Sequence, residues 1–409
     1  MLAALLPLFD ENMSVSAYSL FSQKENMLLE PRFFVTAKHD GACSIDGLEV
    51  IESMGMETLS KDKEIFVPVN NVSIFADISS QCSAPHDRLV FLIDNSVKPN
   101  PMYINQIQNL KQQGYKLAMW KLAVADFELY RPILSYMDYI LLNYKKIDIS
   151  KARIYFSKVY PSIKLIACNI LTMEDYEQLR DDGGYALYEG AFYRMPVTKG
   201  ETQVAPLKIN YIELLNMVNG EDFELTEAAD VIGRDTALVI SLLKIVNTMS
   251  RNSEITTIRH AAAMLGQREL KKWIITAVAK QMCLDKPNEI TRISLLRAKF
   301  AENLAPLYGL GGFSQELFLM GLFSVLDIIL EKPMSEALDM VKVSSKIRSA
   351  LENKTGEYAP IYDLLIQYEN ANWQEVCRIM ILQNMKMNDV YSAYCNALNW
   401  YRDMFFDER

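Results

Sequence analysis

Three histidines, His39, His86 and His260, are the whole supply of imidazole in this 409-residue chain. Metal catalysis needs several carboxylate, imidazole or thiolate ligands converging on one point, and three scattered histidines do not suggest such a set. His86 follows Pro85 and reads as a loop residue. His260 lies in an apolar helical pattern, Ile258–Leu265, and reads as a packed or surface side chain. The six cysteines, Cys43, Cys82, Cys168, Cys283, Cys377 and Cys395, form no C-x-x-C pair. In a chain neither small nor cysteine-dense they read as buried thiols in a reducing cytosol. No phosphate-binding G-x-x-x-x-G-K-[ST] or G-x-G-x-x-G motif is present. The cluster Gly309-Leu310-Gly311-Gly312 lacks the following Lys and reads as a helix–helix connection. No G-x-S-x-G nucleophile elbow occurs. The residue types therefore predict no catalytic group, no metal and no cofactor.

The elements that would position any site fall into two halves. Before Pro196, short β-rich runs alternate with helical patterns. The runs are Ser16–Phe21, Arg32–Ala37, Glu64–Val69, Leu89–Ile93, Lys116–Trp120, Tyr139–Leu142, Lys164–Ala167 and Ala186–Tyr188, and the apolar Met1–Phe9 reads as a buried first strand. Several are continuously apolar, as parallel strands covered on both faces are. Helical patterns include Met102–Gln113, closed by Gly114, and Thr172–Arg180, opened by a Thr172/Asp175 capping pattern. Repeated strand–helix alternation fits a βα barrel or a doubly wound sheet, and about eight strands favour the barrel. Val197–Leu207 reads as a linker. Beyond it the periodicity is helical, with breaks at Gly220, Gly233, Gly266, Gly309–Gly312, Pro333 and Gly356. Val390, Tyr394, Ala397, Tyr401 and Phe405 form one apolar stripe, and Ala237, Ile240, Lys244 and Asn247 another. The expected division is 1–197, a linker at 198–207, and 208–409.

Bulk composition narrows the partners. A formal net charge of −9 opposes general binding to a phosphate backbone. No apolar run approaches the ~20 residues of a membrane span, and the N-terminal stretch has no basic n-region or cleavage site. A cytoplasmic protein is expected.

Several stretches resemble the EAL–HDOD family of bacterial signalling proteins. Leu6-Pro7-Leu8-Phe9-Asp10 with Ala17-Tyr18-Ser19-Leu20-Phe21 is similar to the opening of EAL domains. Gly114-Tyr115-Lys116-Leu117-Ala118 resembles the strand that normally ends in Asp-Asp, and Gly190-Ala191-Phe192-Tyr193-Arg194-Met195-Pro196 the barrel-closing segment. In the second half, Asp235 with Leu242-Leu243-Lys244-Ile245-Val246-Asn247-Thr248 and the run Phe318–Asp327 resemble HDOD domains. So do Tyr368–Trp373 and Tyr394–Trp400. The resemblance implies an α/β then all-α chain: a degenerate EAL-type βα barrel, trimmed relative to its relatives, followed by a helical HDOD domain related to HD phosphohydrolases.

EAL domains hydrolyse cyclic di-GMP with two divalent metals that activate water and neutralise the scissile phosphate. Carried over by resemblance, their ligand positions are emptied here. The Glu of the EAL triplet falls on Ser19 and the nucleotide-holding Arg on Gln23. The metal-binding Asn falls on Pro68, and the next Glu near Leu92, with Asp94 close by. The Asp-Asp pair becomes Trp120 and Lys121. The following Lys and Asp become Leu141 and Asn143. Glu-Lys becomes Cys168 and Asn169, the next Glu becomes Leu171, and the closing Gln becomes Glu189. In the HDOD half Asp327 survives without an adjacent His, so the HD ligands are also expected to be missing. The leading expectation is a non-enzymatic adaptor that binds protein partners through a surface including Asp235, Lys244 and Asn247, with the barrel as a second docking surface or a homodimer contact. The alternatives are a cyclic di-GMP receptor without turnover, and an active phosphodiesterase using new ligands such as Asp94 and Glu189.

Overall fold

The computed structural model describes the chain apart from residues 27, 30–43, 62, 195–205, 221–222, 250–254, 283–287 and 407–409, and gives only the backbone at 206–207, 219, 288 and 404–406. The expected strand Arg32–Ala37, His39, Cys43, Cys283 and positions 197–205 of the expected linker lie outside the described residues.

Eight strands close into a barrel in chain order: β1 (Leu2–Phe9), β2 (Val15–Gln23), β3 (Glu64–Val69), β4 (Leu89–Ile93), β5 (Lys116–Met119), β6 (Tyr139–Asn143), β7 (Lys164–Ile170) and β8 (Leu187–Gly190). From β2 to β8 neighbours are parallel, whereas β1 runs antiparallel to β2 and meets β8 only at Phe9↔Tyr188. A tight turn makes this reversal possible: Asp10 Oδ1 accepts from the N–H groups of Asn12 and Ser14, both at 2.9 Å. Side chains alternate between the two faces of a strand. The inward set Leu8, Ala17, Phe66, Val90, Leu92, Ala118, Tyr139, Leu141, Ile166 and Leu187 fills the interior as one core.

The connections carry α1 (Asp46–Met54), α2 (Met56–Ser60), α3 (Pro101–Gln112), α4 (Phe127–Leu134), α5 (Ile149–Val159) and α6 (Met173–Asp182). Asn100, Asp148 and Thr172 cap α3, α5 and α6 by accepting from the N–H groups of Tyr103, Lys151 and Asp175, which satisfies donors that helix geometry leaves open. All eight strands of a closed barrel are present, and the β3–β4 link holds only two short 3-10 turns, Ser73–Phe75 and His86–Arg88.

The remainder is helical: α7 (Pro206–Asn219), α8 (Leu225–Ile232), α9 (Thr236–Met249), α10 (Ile258–Met282), α11 (Asn288–Leu304), α12 (Ser314–Phe323), α13 (Leu326–Leu330), α14 (Met334–Met340), α15 (Ser345–Asn353), α16 (Ala359–Glu369), α17 (Trp373–Leu382) and α18 (Met387–Phe406). The expected linker ends two residues early, because Pro206 and Leu207 already belong to α7; proline suits a first helical turn, where its missing N–H has no intrahelical partner. Gly266 (φ 73°) kinks α10. No helix of the described residues is long and apolar enough to cross a membrane.

The chain forms two compact units. Unit 1 is Met1–Met195 with Pro306–Gly309 and Leu364–Arg409; unit 2 is Pro196–Ala305 with Leu310–Asp363. This departs from a helical domain running to residue 409. The stripe of α18 explains the departure: Val390, Tyr394 and Ala397 are buried, and the face formed by Tyr391, Tyr394, Cys395 and Leu398 meets Ala3 and Leu5 of β1 and Val50 and Met54 of α1. Periodicity announces that such a helix needs a partner without saying which. Unit 2 is therefore an insertion into the chain of unit 1.

Candidate functional site

Strand parity decides what the barrel mouth presents. Two residues beyond the core positions Ala17, Phe66, Ala118, Leu141, Ile166 and Leu187 lie Ser19, Pro68, Trp120, Asn143, Cys168 and Glu189, on the same inward face and one step nearer the carboxyl ends of the strands. That end is where βα barrels build their sites. Ten of the expected positions thus share one end of the barrel: these six with Leu92, Leu141, Lys121 and Asn169.

The mouth is packed. Leu92 and Leu141 belong to the core, and Trp120 and Cys168 pack against it. The Trp120 ring lies 5.7 Å from that of Phe21, and Lys121 Nζ stands 3.9 Å over the indole, a cation–π contact. Trp120 Nε1 is buried with no acceptor in reach among the described residues. Ser19 is only 3% exposed. The two residues that turn the chain here, Lys121 (φ 61°) and Asn169 (φ 63°), are left-handed, and Asn169 sits in the register shift between Ala167 and Ile170.

Glu189 keeps some surface, yet protein surrounds its carboxylate. Oε2 accepts from the N–H of Asn169 at 3.1 Å. Burial raises its pKa, and the Asn169 N–H and the charge of Arg194 only partly oppose this. Burial also raises the Cys168 thiol, and Glu189 adds to the effect, so Cys168 stays protonated and unreactive. Asp94 is taken up by its own turn, accepting from the N–H of Ser96 at 2.9 Å and its hydroxyl at 2.5 Å. Asn143 Oδ1 accepts from the N–H of Lys145 at 3.0 Å. Among the described residues no three His, Cys, Asp or Glu side chains are grouped to hold a metal ion.

Two expected positions stand apart. Leu171 is 43% exposed, past the end of β7. Gln23 donates to the carbonyl of Glu25 at 2.7 Å and approaches Cys377 Sγ of α17 at 3.6 Å, which makes it a contact to the C-terminal helices. Opposite the mouth, the amino ends of the strands hold a polar group the sequence reading missed. Lys116 Nζ donates to Glu64 Oε1 at 2.5 Å and the Tyr139 hydroxyl to Oε2 at 2.9 Å. Inward parity at the first residues of β3, β5 and β6 was the available signal.

In unit 2 the three expected partner-binding residues separate. Asp235 is 6% exposed. Its Oδ1 accepts from the N–H groups of Ala237 (2.8 Å) and Leu238 (3.1 Å), capping α9, and its Oδ2 accepts from the Tyr211 hydroxyl at 2.5 Å. Asn247 clamps Ile255 in both directions, accepting its N–H at 2.7 Å and donating to its carbonyl at 2.9 Å. Both side chains hold backbone within the domain, as Asp and Asn that lead or end a helix commonly do. Lys244 is exposed on the same helix, among Ile240 (61%), Ile245 (42%) and Met249 (60%). Elsewhere on unit 2 a shallow groove of about 640 Å³ opens beside Gly233, bounded by Arg234 and Arg259, which pair with Glu213 (2.8 Å) and Asp230 (2.9 Å).

Two His-Asp dipeptides occur, His39-Asp40 and His86-Asp87, both in the first half; only in the helical half does no His adjoin an Asp. His86 is a surface packing residue, its ring stacked on Tyr115 at 4.2 Å and Nδ1 2.9 Å from the Gln113 carbonyl. His260 is exposed on α10.

Residues 205–354 match the HDOD domain family. Across 404 residues the chain is 26% identical to YuxH, an uncharacterized protein of Bacillus subtilis, covering 96% of each. Across 329 residues it is 25% identical to CdgJ of Vibrio cholerae, named a cyclic di-GMP phosphodiesterase, covering 78% of this chain and 74% of that one. Among solved structures, the EAL domain of Mycobacterium smegmatis DcpA aligns with 46% of this chain and 89% of its own, at 14% identity and a TM-score of 0.35. An EAL domain protein from Listeria monocytogenes aligns with 47% and 86%, at 12% identity and a TM-score of 0.36.

Proposed function

We propose that this protein, whose residues 205–354 form an HDOD domain, is a non-enzymatic adaptor of cytoplasmic signal transduction that works by binding protein partners. The observation that carries this reading is the set of inward-facing side chains at the barrel mouth. Ser19, Pro68, Trp120, Asn143, Cys168 and Glu189 stand where two-metal hydrolysis would need a shell of carboxylates, and the one carboxylate among them is desolvated. Two metal ions are not held by one desolvated carboxylate and a thiol of raised pKa. The partner surface assigned here is the exposed face of α9, where Lys244 stands among apolar side chains; a central anchor on such a face typically costs ~2 kcal/mol or more when truncated.

The test is direct. Purified full-length protein with Mg²⁺ or Mn²⁺ should leave cyclic di-GMP intact, and Lys244→Glu should lower recovery of partners from native cells. Chelator-sensitive turnover would sink the reading.

A second reading is favoured by the likeness to CdgJ, whose name carries cyclic di-GMP phosphodiesterase activity: the barrel binds the nucleotide without cutting it. Titration calorimetry separates the two. Heat of binding that Lys121→Ala abolishes would favour the receptor, with the cation over Trp120 contacting the nucleotide; no heat of binding would favour the adaptor.

A further inference from the structure

The chain leaves unit 1 after Met195 and returns to stay at Leu364. The residues that flank this excursion are joined to each other. Arg194 Nη1 donates to Glu369 Oε1 at 2.7 Å and to Asn370 Oδ1 at 3.1 Å. The two charged side chains are only 14% and 18% exposed. Arg194 is further fixed by Tyr193, whose hydroxyl accepts from Nε at 2.8 Å and whose ring lies 5.0 Å away. Each member of the pair also leads into the barrel. Arg194 ends the segment that follows Glu189 and Gly190 out of the mouth. Glu369 adjoins Tyr368, whose hydroxyl accepts from the N–H of Ala3 in β1 at 3.3 Å.

We propose that the Arg194–Glu369 pair is a clasp at the neck of the inserted unit, through which a shift at either chain crossing reaches both the β1 edge and the barrel mouth. The physical case rests on burial and position. A pair this far from water is either joined or costly to part, because separation strands a charge away from solvent. Such a contact has two discrete states, which is what a switching element requires. Its position matters as much, since a pair elsewhere on the barrel would hold the fold without touching both ends of the insertion. Residues 306–309 also belong to unit 1, so the chain passes between the units there too, but the two ends joined by the pair are the ones that continue into β8 and α16.

The experiment is amide hydrogen exchange on the full-length chain carrying Arg194→Gln, Glu369→Gln, or the swap Arg194→Glu with Glu369→Arg. Each single change should speed exchange about tenfold or more at the neck amides of Ala371 and Asn372, at Ala3, and at Asn169. Amides of α11 and α12 in unit 2 should keep their protection, and the swap should restore most of the protection that the single changes remove. Faster exchange confined to residues 369–373, with Ala3 and Asn169 unmoved, would overturn the proposal and leave an ordinary local ion pair. So would single changes that unfold the whole chain while the swap fails to recover it.

Discussion

The backbone N–H of Ala3 donates to the hydroxyl of Tyr368, a buried hydrogen bond between residues 365 positions apart. It marks where the C-terminal helices dock. Because β1 and β2 are joined by a turn, no crossover helix covers the outside of β1, and α18 supplies that cover from the far end of the chain. Tyr368 is fully buried, and burial holds its hydroxyl proton far above the ordinary range, so it acts only as a hydrogen-bonding anchor.

Removing the segment from Leu364 onward should therefore unfold the barrel and spare unit 2. Ala3 would be left without its partner, and several buried aromatic and aliphatic side chains around β1 would return to water. Burial of each such side chain is worth about 1.5–3 kcal/mol, against a total stability of roughly 5–15 kcal/mol. Circular dichroism of a Met1–Arg194 fragment should show no cooperative melt. A cooperative melt at the full-length temperature would contradict this. Expression of 208–409 alone should likewise give a poorly soluble product, since it carries the barrel's cover without the barrel.

Glu189 gives a pH prediction with a definite sign. Burial raises its folded pKa above the ordinary 4.5. Between the unfolded and the folded pKa the folded state holds the proton that the unfolded state releases, so stability falls as pH rises through that window and stays lower beyond it. Glu189→Gln removes the ionisation. The variant should melt higher than wild type at neutral pH, with the gap closing below pH ~4. Equal melting temperatures at pH 7 would show that the carboxylate is well solvated.

Asn247 and Lys244 separate structure from recognition on one helix. Asn247→Ala removes both hydrogen bonds to Ile255 and should cost about 1–3 kcal/mol, read as a lower denaturant midpoint. Lys244→Glu, on the exposed side, should stay within about 0.5 kcal/mol of wild type while weakening partner recovery. If Asn247→Ala melts normally, the clamp on Ile255 is not formed in solution.

How much of this was legible beforehand depended on the kind of signal. Glu64–Val69 and Leu89–Ile93 are strands from end to end as read, because continuous apolar β-branched runs have few other uses. Gly220, Gly233, Gly266, Pro333 and Gly356 all mark helix ends or kinks, because backbone restrictions act locally. The attachment of α18 to β1 was not legible: an apolar stripe at Val390, Tyr394 and Ala397 demands burial but names no partner. The backbone-holding roles of Asp235 and Asn247 were not legible for a related reason: polar residues flanking a helix serve its caps as readily as a partner, and the bonds to Tyr211, Leu238 and Ile255 show the first use.

Gly321 tests how tightly unit 2 is built. It lies where α12 crosses α11, in the run that most resembles the HDOD pattern. A Cβ there would stand 2.4 Å from the carbonyl oxygen of Arg297 and 2.5 Å from the nitrogen of Ala298. Those are backbone atoms in a helix, which cannot rotate aside as a side-chain end would. The crossing is also pinned on both sides, by Ser294 Oγ donating to the Leu322 carbonyl at 2.8 Å and by Arg297 donating to the Ser324 hydroxyl at 3.0 Å. Adding one methyl must push the helices apart or break these bonds, so Gly321→Ala should cost at least ~3 kcal/mol, the upper end for overpacking. Gly312→Ala is the control: a Cβ there meets nothing within 4 Å, and its effect should stay within about 0.5 kcal/mol. Chemical denaturation of the two variants side by side decides the matter. If Gly321→Ala unfolds at the midpoint of the Gly312→Ala control, α11 and α12 do not approach this closely in solution.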